Sequence, residues 1–327
     1  MKILVIGAAG MVGRKLTAAL LKAGQVAGRD ISALVLADIV SPEAPKAAIP
    51  IETHAVDLSA PAAAEQLIGA RPDLIFHLAA IVSGEAEADF EKGYRINLDG
   101  TRHLLEAIRL ASRQGAYAPR LVFTSSIAVF GEPLPAKIPD EFPLTPLTSY
   151  GTQKAIGELL LADYSRRGFV DGVGIRLPTI VVRPGKPNKA ASGFFSGIIR
   201  EPLTGVEAVL PVDTNVRHWF ASPRAAVSFL LHAAQMDTSG LGQRRSLTMP
   251  GLAATVGDEI EALRRIAGDK AAKLIRHEPD PVIARIVAGW PQAFSAKRAE
   301  GLGFVAESRF DDIIRAHIED ELGGQIG

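Results

Sequence analysis

Over roughly the first 180 positions, short β-branched or leucine-rich runs alternate with longer stretches whose apolar residues recur at helical spacing. Ile3–Ile6, Leu34–Ala37, Leu74–Phe76, Leu121–Thr124 and Val173–Leu177 are such runs and read as strands buried on both faces. Val12–Lys22, Ala62–Ile68, Gly100–Ser112 and Tyr150–Arg167 carry the helical period between them. Strand–helix alternation at this spacing predicts an α/β fold: a doubly wound parallel sheet with right-handed crossovers.

The pattern changes after Val181-Val182-Arg183-Pro184-Gly185-Lys186-Pro187, a loop by its prolines and glycine. Beyond it the spacing predicts helices near Phe194–Ile199, Pro223–Gln235, Val256–Ile266 and Phe310–Glu321, and a strand near Ser246–Met249. The chain therefore divides into a first domain, 1–182, and a smaller C-terminal α/β lobe, 183–327, from which segments can return to the first.

The bulk figures narrow the function. Of 327 residues, 47% are apolar and 22% charged, enough for a large core. Lysine plus arginine (36) balance aspartate plus glutamate (36), so no broad positive field exists to hold nucleic acid or an anionic membrane. There is no cysteine, which excludes disulfides, thiolate metal sites and a catalytic thiol, and fits the cytoplasm. The first apolar run is only Ile3–Ile6 before a glycine, too short for a secretion signal, and no window is long enough to span a bilayer.

Gly7-Ala8-Ala9-Gly10-Met11-Val12-Gly13 falls where the first strand becomes the first helix. Gly7 permits the tight turn, Gly10 lets backbone approach a pyrophosphate, and Gly13 lets helix pack on strand, the dinucleotide turn of a Rossmann domain. Unpaired amides at the helix start, near Met11 and Val12, then face an anion. Asp38 closes the second strand, where a carboxylate accepts both adenosine ribose hydroxyls and repels a 2′-phosphate, favouring NAD over NADP. The alternative for Asp38 is an ordinary strand end. Asp57-Leu58, after the third strand, either border the adenine or, for Asp57, cap the following helix.

Tyr150 and Lys154 lie four apart on one helix and share a face. An ammonium about 5 Å from a phenol, at an effective dielectric near 20, favours the phenolate by roughly 3 kcal/mol, or about two pKa units. An oxidised nicotinamide adds a second positive charge, and together they bring Tyr150 within reach of general-base work. Thr124-Ser125-Ser126 ends the fifth strand, and Ser126 is the candidate to hold a substrate oxygen passing between hydroxyl and carbonyl. Ser125, its neighbour on an extended backbone, points elsewhere.

Together these segments resemble the extended short-chain dehydrogenases/reductases, also called the NAD-dependent epimerase/dehydratase family, clearly over about residues 1–235. The carriers are Gly7-x-x-Gly10-x-x-Gly13, His77-Leu78-Ala79-Ala80, Asn97 in Ile96-Asn97-Leu98-Asp99-Gly100-Thr101, Ser126-Ile127-Ala128-Val129-Phe130-Gly131 and Tyr150-x-x-x-Lys154. The resemblance implies NAD as cofactor, with Leu78 and Ala80 lining it, Asn97 supporting the site and Lys154 holding the nicotinamide ribose. His77, inside an apolar strand, reads as structural, and no metal site is expected. Ser125-Ser126-Ile127 lacks the acidic pair of the dehydratases. The stretch Lys186-Pro187-Asn188-Lys189-Ala190-Ala191-Ser192-Gly193 through Leu203 is most similar to members that oxidise the C2 hydroxyl of a four-carbon sugar acid, D-erythronate, to 2-oxo-tetronate.

A sugar acid requires a cation for its carboxylate. Arg217, in Asn215-Val216-Arg217-His218-Trp219, is the candidate, since relatives use an arginine there; the alternative is a surface or interdomain salt bridge. Ser83 and Thr179, after the fourth and sixth strands, are candidate hydroxyl partners, or plain loop polarity. The resemblance also implies a homodimer formed through the helices bearing Asn97 and Tyr150. Two other activities remain open: a nucleotide-sugar epimerase that returns its hydride to the substrate, and an NAD-sensing protein without turnover.

Overall fold

The computed structural model describes residues 1–185 and 191–327. Its chain divides into two compact units, each made of three segments: 1–129, 148–176 and 227–247 in one; 130–147, 177–226 and 248–327 in the other.

The first unit is built on β1 (Lys2–Ile6), β2 (Ala33–Asp38), β3 (Ile51–Ala55), β4 (Leu74–His77), β5 (Arg120–Ser126) and β6 (Asp171–Leu177). With β10 (Ser246–Thr248) they form one seven-stranded sheet in the order β10-β6-β5-β4-β1-β2-β3. The expected runs became strands because they are apolar on both sides: β1, β2, β4 and β5 are buried through their interiors. Leu34, Leu4 and Ile75 are among the residues with no exposed surface. The helices connecting these strands are α1 (Met11–Ala23), α2 (Pro61–Gly69), α4 (Gly100–Ser112) and α5 (Ser149–Arg166), with a short α3 (Ser83–Ala88) after β4. Leu67, Ile68, Leu104, Ile108 and Leu161 from α2, α4 and α5 pack with Leu4, Val35, Ile75 and Phe123 of the sheet.

Register fixes where the sheet ends. Ile6 pairs with Ala37 and with His77, and His77 with Phe123, all in parallel ladders. The next residues, Gly7, Asp38, Leu78 and Thr124, therefore leave four strands at one level, the edge where α/β sheets bind ligands. A Rossmann strand order with the reversal between β1 and β4 puts the glycine turn beside that switch point.

The second unit contains β7 (Thr179–Ile180), α6 (Gly193–Leu203), β8 (Ala208–Leu210), β9 (Arg217–Ala221), β11 (Leu252–Thr255), α8 (Val256–Ala272), β12 (Ile275–His277), α9 (Pro281–Ala288), α10 (Lys297–Gly301) and α11 (Phe310–Glu321). Helix α7 (Pro223–Gln235) starts in this unit and lies mostly in the first. Strands β7, β9 and β11 make one small sheet and β8 and β12 another. Phe195, Ile198, Phe220, Val256, Leu263, Phe310 and Ile313 form this unit's core. Helix α8 opens with a capping box, Thr255 and Asp258 each accepting the other's backbone N–H. No helix among the described residues is long and apolar enough to cross a membrane.

Candidate active site

The glycine turn is the best-defined cradle in the first unit. Gly7 has φ +91°, and a Cβ there would lie 2.7 Å from Ala79 N. At Gly13 a Cβ would stand 2.2 Å from Gly7 O and 2.7 Å from Ala8 Cα, so the helix rests directly on the turn. Gly10 precedes the first residue of α1 in extended conformation, with no side chain capping the helix, leaving the first N–H groups, near Met11 and Val12, for an anion. Gly7 and Ala8 both donate to Ala37 O, at 2.8 and 3.1 Å, binding the turn to β2.

Asp38 belongs to this cradle through its side chain: Oδ2 accepts from Ala9 N at 2.9 Å and Oδ1 from Ile39 N at 2.7 Å. A carboxylate has about four lone-pair sites, so two stay open for ribose hydroxyls. Turn, acid and helix start together fit a dinucleotide, and supply its pyrophosphate and adenosine ribose with partners. Asp57 does not cap α2, whose N-cap is Ala60. Its carboxylate instead accepts from Ser59 N, Ser59 Oγ and Arg95 Nη1 at 2.9, 2.6 and 2.9 Å, an Asx turn with an arginine strut. Burial raises this carboxyl's pKa, but the bonds from Ser59 and Arg95 outweigh it and the net value is lowered. Leu58 beside it is buried.

Beyond β4, Leu78 N donates to Ile6 O at 2.8 Å, and Leu78 and Ala80 are partly exposed on the same edge as the glycine turn. Asn97 is buried in a π-helical turn, Tyr94–Asp99. Its Oδ1 accepts from Ile81 N at 2.9 Å and its Nδ2 donates to Gln153 Oε1 at 2.8 Å, so it ties the loop after β4 to α5. Gln153 had no place in the sequence reading; only the packing of α5 against the π-turn brings the two amides together. Ser83 opens α3 and is partly buried. His77 is buried, its Nε2 paired with Thr101 Oγ1 at 2.9 Å; burial and then the Lys154 charge push its pKa down to about 3, keeping it neutral.

Tyr150, Lys154 and Ser126 converge. Thr148 Oγ1 caps α5 by accepting from Gly151 N at 3.0 Å, which sets Tyr150 in the first turn, at the positive end of the helix. Lys154, one turn on, is buried with Nζ 5.7 Å from the Tyr150 ring centroid, and donates to Thr124 O at 2.8 Å. Ser126 Oγ accepts from Ala128 N at 3.1 Å and faces the phenol. Ser125 turns to the opposite side and donates to Glu158 Oε1 at 2.5 Å. Alternation along β5 thus turns Ser125 toward Glu158 and leaves Ser126 on the side of the phenol.

The electrostatics differ from the sequence expectation. Desolvation pushes the Tyr150 phenol up to about 12, against the opposing bond from Ser126. Burial also draws Lys154 down to about 8, opposed by the Glu158 charge. Here both groups are withdrawn from water, and the desolvation of each charged form exceeds the gain.

In the second unit, Thr179 Oγ1 lies 2.6 Å from His218 Nε2, and His218 Nδ1 is 2.9 Å from Pro291 O. A carbonyl can only accept, so Nδ1 carries the proton and the threonine hydroxyl donates to Nε2. Thr179 therefore retains lone pairs but no free proton for a substrate. Arg217 begins β9 exposed to solvent, donating to Ala253 O at 3.3 Å. The residues Lys186, Pro187, Asn188, Lys189 and Ala190, part of the stretch that pointed to a sugar acid, lie outside the described residues. Among the described residues no group of three or more His, Cys, Asp or Glu is placed to hold a metal ion.

Comparisons with known proteins agree with this geometry. Two proteins named D-erythronate dehydrogenase are similar along nearly their whole length. The one from Cupriavidus necator is 49% identical over 98% of each chain. The one from Haemophilus influenzae is 41% identical over 98% of this chain and 100% of its own. A solved structure described as a nucleoside-diphosphate-sugar epimerase from Agrobacterium tumefaciens is 65% identical, with a TM-score of 0.98 over 100% of this chain and 96% of that one. The pattern of the NAD dependent epimerase/dehydratase family matches residues 3–244, and the chain belongs to that family, the extended short-chain dehydrogenases/reductases.

Proposed function

We propose that this protein oxidises the C2 hydroxyl of D-erythronate to the 2-oxo acid, using NAD. The observation that carries the reading is the similarity, end to end, to two D-erythronate dehydrogenases, in a chain whose Ser126, Tyr150 and Lys154 meet at the edge bearing the dinucleotide cradle. Gly7, Gly10, Gly13 and the amides near Met11 and Val12 hold the pyrophosphate. Asp38 holds the adenosine ribose, Asp57 and Leu58 border the adenine, and Leu78 and Ala80 line the cofactor. When bound, oxidised NAD supplies the hydride acceptor and a positive charge.

In this reading Tyr150 removes the hydroxyl proton while the C2–H electron pair leaves the substrate, and Ser126 Oγ holds the oxygen as it becomes a carbonyl. Lys154 holds the nicotinamide ribose and adds its charge to the positive end of α5 in stabilising the phenolate. With Lys154 already in place the phenol stands at about 12 and is a poor base, so proton transfer depends on the further positive charge that oxidised NAD brings when bound. Arg217 takes the substrate carboxylate; Ser83 and Thr179 accept or exchange bonds with its hydroxyls, and residues 183–327 serve chiefly as the substrate lobe. We further infer a cytoplasmic homodimer. Its support is the lack of cysteine and a 66% exposed Leu159 on α5, the helix that also bears Tyr150.

The solved epimerase-named relative favours a second reading, in which hydride returns to a nucleotide sugar. Absorbance of accumulating NADH separates the two. D-Erythronate with NAD gives stoichiometric NADH if the protein is a dehydrogenase; an epimerase interconverts nucleotide sugars with none released. Tyr150→Phe should then lower turnover by at least about 100-fold while NAD affinity is nearly kept. An unchanged rate removes Tyr150 from the mechanism.

A further inference from the structure

One turn beyond Lys154, on the same face of α5, lies Glu158, only 4% exposed. Its carboxylate is held by two side chains. Arg176 of β6 donates to it through Nε at 2.9 and 3.1 Å and through Nη2 at 2.7 Å. Ser125 of β5, the residue before Ser126, donates to Oε1 at 2.5 Å. The helix is drawn hard against β5 here, since a Cβ at Gly157 would stand 2.9 Å from the Phe123 ring. One side chain thus joins the helix that carries Tyr150 and Lys154 to the strand that carries Ser126.

We infer that Glu158 is a positioning residue for the reaction: its carboxylate, clamped by Arg176, keeps the buried Lys154 ammonium charged, and through Ser125 it fixes the strand end that presents Ser126. The inference rests on the proposed role of Lys154 beside Tyr150, not on which substrate is used. The ionisable groups around Lys154 leave few alternatives. Tyr150 and Glu158 share its helix, His77 faces it from β4 and is neutral, and Arg176 of β6 is paired with the Glu158 carboxylate. Glu158 is the anion that opposes the loss of the Lys154 proton on burial.

The test is to titrate Lys154 itself in the full-length protein, by carbon-13 NMR of labelled lysine with the signal assigned through Lys154→Arg. At about 6 Å and an effective dielectric near 20, loss of the carboxylate should lower the Lys154 midpoint by about one to two pH units in Glu158→Gln. Glu158→Gln/Arg176→Met, which removes both buried charges, should give a smaller drop than the single change and guards against a single variant that fails to fold. Ser125→Ala should leave the midpoint in place and lower turnover several-fold through Ser126. Wherever a substrate is turned over, the Glu158→Gln rate should also fall toward neutral pH's acid side less than toward neutrality itself, so its pH profile changes shape while that of Ser125→Ala does not. An unmoved Lys154 midpoint in Glu158→Gln, or a double variant whose midpoint falls as far as that of the single change, overturns the inference. Failure to oxidise D-erythronate with a midpoint that does move would instead overturn the proposed substrate.

Discussion

Gly13→Ala tests the cradle most directly, because the added atom has nowhere to go. Its Cβ would stand 2.2 Å from Gly7 O, 2.7 Å from Ala8 Cα and 3.0 Å from Ala8 C, all backbone. Ordinary contact begins near 3.4 Å, so α1 must retreat from the turn by about 1 Å. Overpacking of this kind costs about 1–3 kcal/mol. The same retreat draws back the first amides of α1, proposed to hold the pyrophosphate, and losing one charge-assisted bond of about 1.5–3 kcal/mol lowers NAD affinity by about 10- to 150-fold. Gly10→Ala is the matched control, since its Cβ meets only Gly7 O at 3.4 Å. It should fold with nearly wild-type stability and lose affinity only because a methyl group now faces the dinucleotide. Circular-dichroism melting without ligand, paired with NADH fluorescence titration, reads both quantities. The melting temperature of Gly13→Ala should fall by roughly 2–4 °C per kcal/mol, with weak binding. Wild-type melting and wild-type affinity together would show that helix and turn are not in the contact described.

Two further outcomes are expected. Asp38→Ala should raise the KM for NAD about 10- to 100-fold and narrow the preference over NADP, since it removes an anion that also fixes Ala9 N; steady-state kinetics with both cofactors reads this, and an unchanged KM for NAD contradicts it. Glu259 is fully buried in the second unit with neither oxygen paired among the described residues, and burial followed by the Asp258 charge holds its carboxyl well above the usual range. The unfolded chain loses this proton first, so as pH rises above about 4.3 the folded state is penalised by up to about 1.4 kcal/mol per pH unit until the folded pKa is reached. Urea unfolding at several pH values should show that slope in the wild type and its loss in Glu259→Gln; parallel curves would place the carboxyl in water.

Most of the sheet was readable because parallel strands buried on both faces have to be apolar throughout. Strand β3 was counted before Asp57 but given no bounds, for the converse reason: at the sheet edge, Ile51–Ala55 includes Glu52, Thr53 and His54, is only partly buried and gives no apolar run. The Tyr150–Lys154 pair and the glycine turn were readable because helix period and strand–helix junctions fix their geometry locally. Glu158 was within reach of the same spacing rule, being four residues past Lys154, but its partners Ser125 and Arg176 come from two other strands. The Asn97–Gln153 bond spans 56 residues and depends on how α5 meets the π-turn. The upward push on the Tyr150 phenol was not legible, because local spacing reveals which charges are near, whereas the depth of desolvation is a property of the whole fold.

The edge strand β10 has a consequence for how this protein is made. Residues 246–248 pair beside β6, which ends at Leu177, with Gly174 N donating to Arg245 O at 2.9 Å. On the ribosome, the flank of β6 must wait, open, while some seventy further residues are synthesised at about 5–20 per second. During those seconds the nascent sheet offers a ready template to any extended neighbour, so crowding of polysomes or loss of a chaperone should reduce soluble yield more than any defect in the finished fold would suggest.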